Sequence, residues 1–349
     1  MEFAAHVEEL AYAHQGPVSS GLIREKPEYF CVEEELSFEP SGEGEHVFLY
    51  VQKINLNTAD IIKILAKHAG VTRRSVSYAG MKDRHAITKQ WFSVQLPGQE
   101  GPDWSLLETP QIKVLQVTRH LRKLKRGAIN SNGFEIVVSN LNVDTQAVND
   151  QTEKIKQRGV PNYFMEQRFG YLCQNLSRAY SIFEKNQPIK DKKLKGLLLS
   201  SVRSYLFNLV LSQRVKSNTW DAAEEGDAFM LNGTRQFFQE ALLSNELCAR
   251  IKEHDIHPTG PLFGVGDSVV KQGVYDIEQR VYANNAIFCE GLIKVKLESS
   301  RRALRVVPEG LELNWLEDDK LQLCFKLPSG SYATAVIREL LTTSVQRAG

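Results

Sequence analysis

The sequence predicts an α+β protein, with strand-rich segments at both chain ends and a helix-rich middle. Alternating and β-branched apolar runs occur up to Ser139 and return over residues 312–327, whereas helical periodicity dominates Lys192–Lys216 and residues 239–253. A length of 349 residues, at roughly 150 per domain, favours two hydrophobic cores over one. One economical arrangement inserts a domain into another, so that the two chain ends share a sheet.

Taken in order, residues 45–51 (EHVFLYV) follow the turn-forming PSGEGE and read as a strand. A helix comes next: Asn57 or Thr58 can cap it, Ile61, Ile62, Leu65 and Ala69 share helical spacing, and Gly70 stands at its stop. Residues 75–79 and 89–96 read as strands on either side of a compact polar loop, Gly80-Met81-Lys82-Asp83-Arg84-His85. Residues 134–139 form a further strand, and residues 143–158 a helix stopped by Gly159 with Pro161 beyond. Near the C-terminus residues 320–327 alternate polar and apolar, a PSG turn follows, and residues 333–341 read as a helix.

The composition, 42% apolar, 24% charged and 9% aromatic, is that of an ordinary globular protein, which excludes global disorder. No run approaches the roughly 18 apolar residues of a membrane span, and the N-terminus lacks the pattern of a signal peptide. A soluble, cytoplasmic protein is expected. The 5 cysteines are widely spaced without a CxxC, so reduced thiols are expected rather than disulfides or zinc. His254 and His257 could share a helix face, but no third ligand follows at suitable spacing, and no metal is predicted. Gly264-Val265-Gly266 lacks the third glycine of a dinucleotide fingerprint, and neither a Walker loop nor a GxSxG elbow occurs. An enzyme without cofactor or a binding protein remains.

The balance of 43 basic and 42 acidic residues, net +1, argues against a protein that coats nucleic acid generically. The basic residues are clustered, however: Arg119, Arg122, Lys123, Lys125 and Arg126 in one run, KDKKLK at 190–195, and SRRALR at 300–305. Any one cluster can be a solvated face; together they favour RNA or another polyanion as partner.

The densest polar constellation is residues 78–92, YAGMKDRHAITKQWF, where Lys82, Asp83, Arg84 and His85 are consecutive in a tight loop. Rigid scaffolds present catalytic side chains on such loops, and the competing reading is a charged turn facing solvent. Arg168, Arg338 and Glu339 lie within apolar surroundings and could each be half of a salt bridge.

AGMKDRHAITKQ together with NSNGF (130–134), VPNYFMEQRFG (160–170), LPSGSYATAVIREL (327–340) and KPEYFCVEEELSFEPSGEGEH (26–46) closely resembles the tRNA pseudouridine synthase D family. The blocks stand in family order and span almost the whole chain. The resemblance implies a cofactor-free, metal-free isomerase that converts uridine 13 in the D arm of tRNA to pseudouridine. It implies a pseudouridine-synthase core with a mixed, largely antiparallel sheet made from both chain ends (residues 1–158 and 306–349), and an inserted α/β TRUD domain (159–305). The implied partner is tRNA, with no membrane and no obligate protein partner.

Carried over by motif, Asp83 corresponds to the family's nucleophile, Phe30 and Tyr332 to aromatic residues lining the uracil pocket, and Asn132 to a polar substrate contact. A carboxylate is ionised at neutral pH, and a neighbouring cation favours that form. It could attack the ribose C1′ or assist removal of the C2′ proton; both routes stay open. Aromatic faces and an amide suit a base flipped from its stack. The sequence departs from the family at Arg24, where lysine is frequent, and at Tyr332, phenylalanine in some relatives; both bear on pocket geometry. Phe134 is either a pocket residue or a core residue of its strand. The alternative from another class is a noncatalytic RNA-binding or folding-assisting protein of the same fold, against which Asp83 stands. An aspartate-dependent hydrolase would need a second, paired carboxylate that the sequence does not identify.

Overall fold

The computed structural model describes residues 3–141, 144–240, 242–317 and 319–345. The first elements are helix α1 (Phe3–Glu8) and strands β1 (Ser19–Ile23), β2 (Phe30–Leu36) and β3 (His46–Ile54). Helix α2 (Thr58–His68) leads to β4 (Val76–Tyr78), β5 (Ile87–Gln95), β6 (Ile112–His120) and β7 (Ile129–Ser139), and helix α3 (Thr145–Arg158) to β8 (Val160–Pro161). The middle carries α4 (Gln174–Glu184), α5 (Lys192–Lys216), β9 (Ala228–Leu231), β10 (Phe237–Gln239), α6 (Asn245–Lys252), β11 (Ile256–Leu262), α7 (Gln272–Asn284) and α8 (Ala286–Lys294). The last elements are β12 (Ser300–Ala303), β13 (Arg305–Val306), β14 (Glu309–Glu317), β15 (Lys320–Pro328), α9 (Ala333–Leu340) and β16 (Leu341–Val345).

The chain divides into two compact units. One, residues 18–152, 308–330 and from 341 onward, is built on a 10-stranded sheet. Its path is β14-β15-β7-β2-β5-β3-β6, with β1 joined to β7 and β16, and β4 to β5. The β1–β16 and β2–β5 pairs are parallel and the others antiparallel, giving the mixed, largely antiparallel sheet of an α+β fold. Both chain ends therefore contribute strands to one sheet. Alternation sets the faces. Val47, Leu49, Val51, Phe92 and Val94 pack against Ile61, Leu65 and Ala66 of α2, while Phe48 and Trp91 bury the opposite face with Leu124 and Ile129. Helix α2 starts at Asn57, whose N–H donates to the Asp60 carboxylate at 3.3 Å, and ends before Gly70 at φ +64°, a turn that favours glycine.

The other unit comprises the described residues up to 17, then 153–307 and 331–340. Buried Leu198, Val202, Leu206, Phe207 and Leu211 make α5 its axis. By length and composition this 25-residue helix could cross a membrane, but these side chains make it the core helix of the unit. A Cβ at Gly291 of α8 would lie 2.2 Å from the Phe183 ring of α4, so only glycine permits that approach. The domain limits expected from sequence fell at 158/159 and 305/306. The compact units change over at 152/153 and 307/308, and residues up to 17 and 331–340 join the helix-rich unit. The reason is burial: Phe3, Val7 and Leu10 pack with Tyr205 and Phe288, Ala335 of α9 joins the same cluster, and the Glu339 carboxylate accepts from the N–H groups of Ala13 and His14.

The middle is less helical than its periodicity suggests. A helix over 239–253 is expected, yet β10 ends at Gln239 and α6 begins only after Ser244, whose hydroxyl accepts from Leu247 N at 3.1 Å. A 4-stranded sheet, β10-β9-β11-β12, runs through this region. Its central strand β11, IHPTGPL, is almost wholly buried but carries prolines and a glycine that locally signal a loop. Val143, placed at a helix start from sequence, lies outside the described residues; α3 begins at Thr145.

The arginines of SRRALR do not form the exposed basic patch that their clustering suggests. Arg301 pairs with Glu278 at 2.7 Å with both side chains buried, Arg302 donates to Asn162 Oδ1 at 2.5 Å, and Arg305 donates to His257 Nδ1 at 3.0 Å. Clustering reports charge but not direction, and this segment turns its guanidinium groups inward to satisfy buried acceptors. His257, with Nε2 also 3.2 Å from Asn232 Oδ1, is a structural group. Burial, then the Arg305 charge, pushes its pKa from 6.5 down to about 3. The unfolded chain takes up that proton near pH 6.5 and the folded chain near 3, so the associated stability is full above 6.5 and drains as pH falls between the two. In urea titrations from pH 7 to 5, His257→Gln should lose less stability than the native chain; equal losses would remove His257 from the acid sensitivity.

Candidate active site

The loop of residues 79–86 joins β4 to β5 beside the face of the sheet on which α2 packs. Its backbone is tied down from several directions. Lys82 N donates to Thr58 Oγ1 at 3.1 Å, Thr58 donates to Gln90 Oε1 at 3.0 Å, and Gln90 Nε2 donates to Gly80 O at 2.6 Å. Lys53 Nζ donates to Asp83 O at 2.9 Å and to Leu56 O at 2.7 Å. Met81, Arg84 and His85 are exposed.

Asp83 is placed at the head of this constellation. Its Oδ2 accepts from Arg24 Nη2 at 2.6 Å, and its side chain is 39% exposed against 15% for Arg24. The Arg24 guanidinium lies 4.2 Å over the centre of the Phe30 ring, which is buried. Arg24 itself adopts φ +61°, a conformation uncommon for a side chain of its size. A buried Nε without a partner accompanies that conformation. Arg24, Phe30 and Asp83 thus form one contiguous group: an aromatic face carries the cation, and the cation holds the carboxylate.

On the same face of the sheet, registry aligns the remaining residues of this unit. Asn132 stands opposite Glu34 and Leu327, Phe134 opposite Val32 and Phe325, and Ile136 opposite Phe30 and Leu323. Phe134 is half-buried and stacks on Phe325 with ring centres 5.4 Å apart, so it is a packing residue of its strand with part of its ring still accessible. The Asn132 Oδ1 accepts from Lys82 Nζ at 2.9 Å. Tyr332 belongs to the helix-rich unit, immediately before α9, and meets Phe164 edge-on at 6.0 Å.

Two charged residues of this face, Lys53 and Glu34, are not among the site residues carried over by motif. Val47, Leu49, Val51 and Lys53 share one parity of β3, as do Phe30, Val32 and Glu34 of β2, so an apolar row runs into a charge on each strand. That continuation of an apolar parity by a buried charge is the sequence signal for both. Lys53 is fully buried, and burial pulls its pKa to about 8 against the opposing influence of Asp83. Burial pushes the Glu34 carboxyl up, with the Lys82 charge pulling the other way.

Among the described residues no group of three or more His, Cys, Asp and Glu side chains could hold a metal. Of the sequence-derived basic run, Lys125 and Arg122 are exposed, while Arg119 donates to the carbonyls of Gly44, Gln99 and Glu100. Lys123 donates to Arg74 O at 2.9 Å, and Arg126 donates to the Tyr78 hydroxyl at 2.5 Å and lies over its ring.

The family model for tRNA pseudouridine synthase D (TruD) matches residues 6–179 and 172–340. The tRNA pseudouridine synthase D of Methylococcus capsulatus is 44% identical over 334 residues, 96% of this chain and 94% of that protein. The protein of the same name from Nitrosococcus oceani is also 44% identical, over 336 residues, with the same coverage. A crystal structure from Methanosarcina mazei, provisionally assigned as a tRNA pseudouridine synthase D, shares the fold with a TM-score of 0.72 and 21% identity over 96% of each chain. With motifs, fold and whole-length similarity in agreement, the chain belongs to the tRNA pseudouridine synthase D family.

Proposed function

We propose that this protein isomerises a uridine of tRNA to pseudouridine, at position 13 in the D arm, without cofactor, using Asp83 as nucleophile. The observation that carries the reading is the partly exposed Asp83 carboxylate, held by Arg24 at 2.6 Å in the motif loop. The charge-assisted hydrogen bond from Arg24 fixes the direction of the carboxylate. In one route Asp83 forms a bond to ribose C1′ as the C1′–N1 bond breaks; in the other it removes the C2′ proton while uracil departs. The freed base turns and C5 bonds to C1′, which releases the Asp83 carboxylate in the first route and returns the proton to C2′ in the second; C5 loses its proton and N1 takes one up, so the product is an isomer of the substrate. Asn132 serves the base edge, Phe30 carries Arg24, Phe134 lines the row, and Tyr332 supplies an aromatic face. The sheet unit is the catalytic core, and the helix-rich middle corresponds to the TRUD insertion.

Pseudouridine mapping of total tRNA from cells with and without the protein tests this directly: the modification at position 13 should disappear with the protein and return with the purified enzyme. EDTA should leave turnover of prefolded tRNA unchanged, and activity lost to EDTA and restored by zinc would overturn the metal-free reading. Tyr332→Ala should weaken productive binding by about 1 to 3 kcal/mol, the range of base stacking, with Tyr332→Phe close to neutral.

The exposure of Lys123, Lys125 and Arg126 supports a polyanion track along this run. Replacing Lys123, Lys125 and Arg126 together by Ala should weaken tRNA binding and flatten the slope of log affinity against log salt by up to about 0.7 to 0.9 per lost phosphate contact. The rate at saturating tRNA should stay near native. An unchanged slope would mean that this run is a solvated face and would move the track to residues 190–195.

A further inference from the structure

We propose that Lys82 is a positioning residue that locks the Asn132 amide with its NH2 group turned outward, so that Asn132 meets the target base as a donor to a uracil carbonyl. The inference rests on the reading of Asn132 as a base contact and adds which of its two amide atoms does the reading and what fixes that choice.

Lys82 Nζ lies 2.5 Å from Glu34 Oε1 and 2.9 Å from Asn132 Oδ1. A lysine ammonium carries donors only, so the amide atom that faces it must be the oxygen, and the NH2 group is sent to the opposite side. The lysine is not free to leave. Its side chain is 7% exposed and that of Glu34 0%, and a buried ion pair opposes separation because each partner would be left as an uncompensated charge. Glu34 is held in turn, since its second oxygen accepts from Trp91 N at 3.0 Å. Registry completes the arrangement by placing Asn132 directly opposite Glu34 across β2 and β7.

Gly80 borders the pair without crowding it. A Cβ there would lie 3.0 Å from Ile129 Cδ1, 3.5 Å from Glu34 Oε1 and 3.6 Å from Lys82 Nζ. The chain Trp91 N–H, Glu34, Lys82, Asn132 therefore runs from the interior of the sheet to the base edge, each link fixing the next. Uracil presents carbonyl oxygens on both sides of N3, whereas cytosine replaces one of them by an amino group. A donor that cannot turn over suits the first base at either carbonyl, and a freely rotating amide would accept both.

The test is a double-mutant cycle on single-turnover kcat/KM with a tRNA transcript, using Asn132→Ala, Lys82→Met and the two combined. Each single substitution should reduce kcat/KM on the order of tenfold or more, the scale of one lost directed hydrogen bond. In the Asn132→Ala background, Lys82→Met should add no more than a small factor, because the lysine has nothing left to orient. Effects that multiply would overturn the proposal, since Lys82 would then act on the loop and not through Asn132. Asn132→Asp keeps an acceptor toward Lys82 and removes the outward donor, so it should be at least as damaging as Asn132→Ala; near-native activity would overturn the proposal.

If Lys82→Met alone fails to fold, the paired change Lys82→Met with Glu34→Gln, which removes both buried charges together, takes its place in the cycle against Asn132→Ala. Failure of the underlying reading looks different: Asn132→Ala itself would then keep native activity, and the lock would fall with it.

Discussion

Asp83→Asn should reduce isomerisation by at least about a thousandfold, the scale expected when a nucleophile is lost, and leave tRNA affinity within a small factor of native. The substitution keeps the shape of the side chain and one oxygen that Arg24 can reach. It removes the charge that would attack C1′ or take the C2′ proton, so neither route survives. Binding should persist because contacts to phosphate, not to the reacting carbon, supply most of the affinity for nucleic acid. Tritium release from tRNA labelled at uridine C5, beside a filter-binding isotherm on the same preparation, separates the two effects. Activity above a few per cent of native would remove Asp83 as nucleophile. His85→Ala is the matched control: His85 is exposed and neither route requires an imidazole, so its effect should be mild.

The largest loss of stability is expected from Asp227→Ala in the helix-rich unit. Arg214 and Asp227 are 1% and 0% exposed, and the guanidinium binds both carboxylate oxygens at 2.8 and 2.7 Å. Two further donors are also satisfied, with Arg214 Nε donating to Thr219 Oγ1 at 2.7 Å and Nη2 to Thr219 O at 2.7 Å. Removing the carboxylate strands a buried cation, which costs about 3 to 5 kcal/mol. Replacing both partners, Arg214→Met with Asp227→Leu, should restore much of that loss because no charge is then left unpaired. A calorimetric melt resolves the pair of outcomes. An Asp227→Ala melting temperature within a degree or two of native would show that water or another group reaches the guanidinium. Because the chain has two compact units, the transition to follow is that of the helix-rich unit and not a single global one.

Strands and helices were legible where an element has an unambiguous local period or stop. Helix α2 has its capping pair and Gly70, β15 alternates without interruption, and α5 carries a long apolar stripe. The motif loop was legible too, since four consecutive polar residues between two apolar strands break the alternation that a sheet requires. What local pattern could not settle was direction. SRRALR reads as a surface patch, and the fold turns its arginines onto Glu278, Asn162 and His257. Pro258 and Pro261 obscure the local strand signal of β11, and neighbouring strands bury it.

The same division runs through the candidate site. The sequence by itself determined the family, the α+β class, and the residue types that the proposed chemistry would use: Asp83, Arg24, Asn132 and the aromatic positions. Only tertiary structure paired Arg24 with Asp83, stacked it on Phe30, and set Glu34 and Lys82 beside Asn132. The hydrogen-bonded partners among them are separated by 48 to 59 positions in the chain, and no local pattern encodes a contact at that separation. Strand registry does, because aligning β2 with β7 places Glu34 opposite Asn132, and burial then requires each charge gathered there to find a partner.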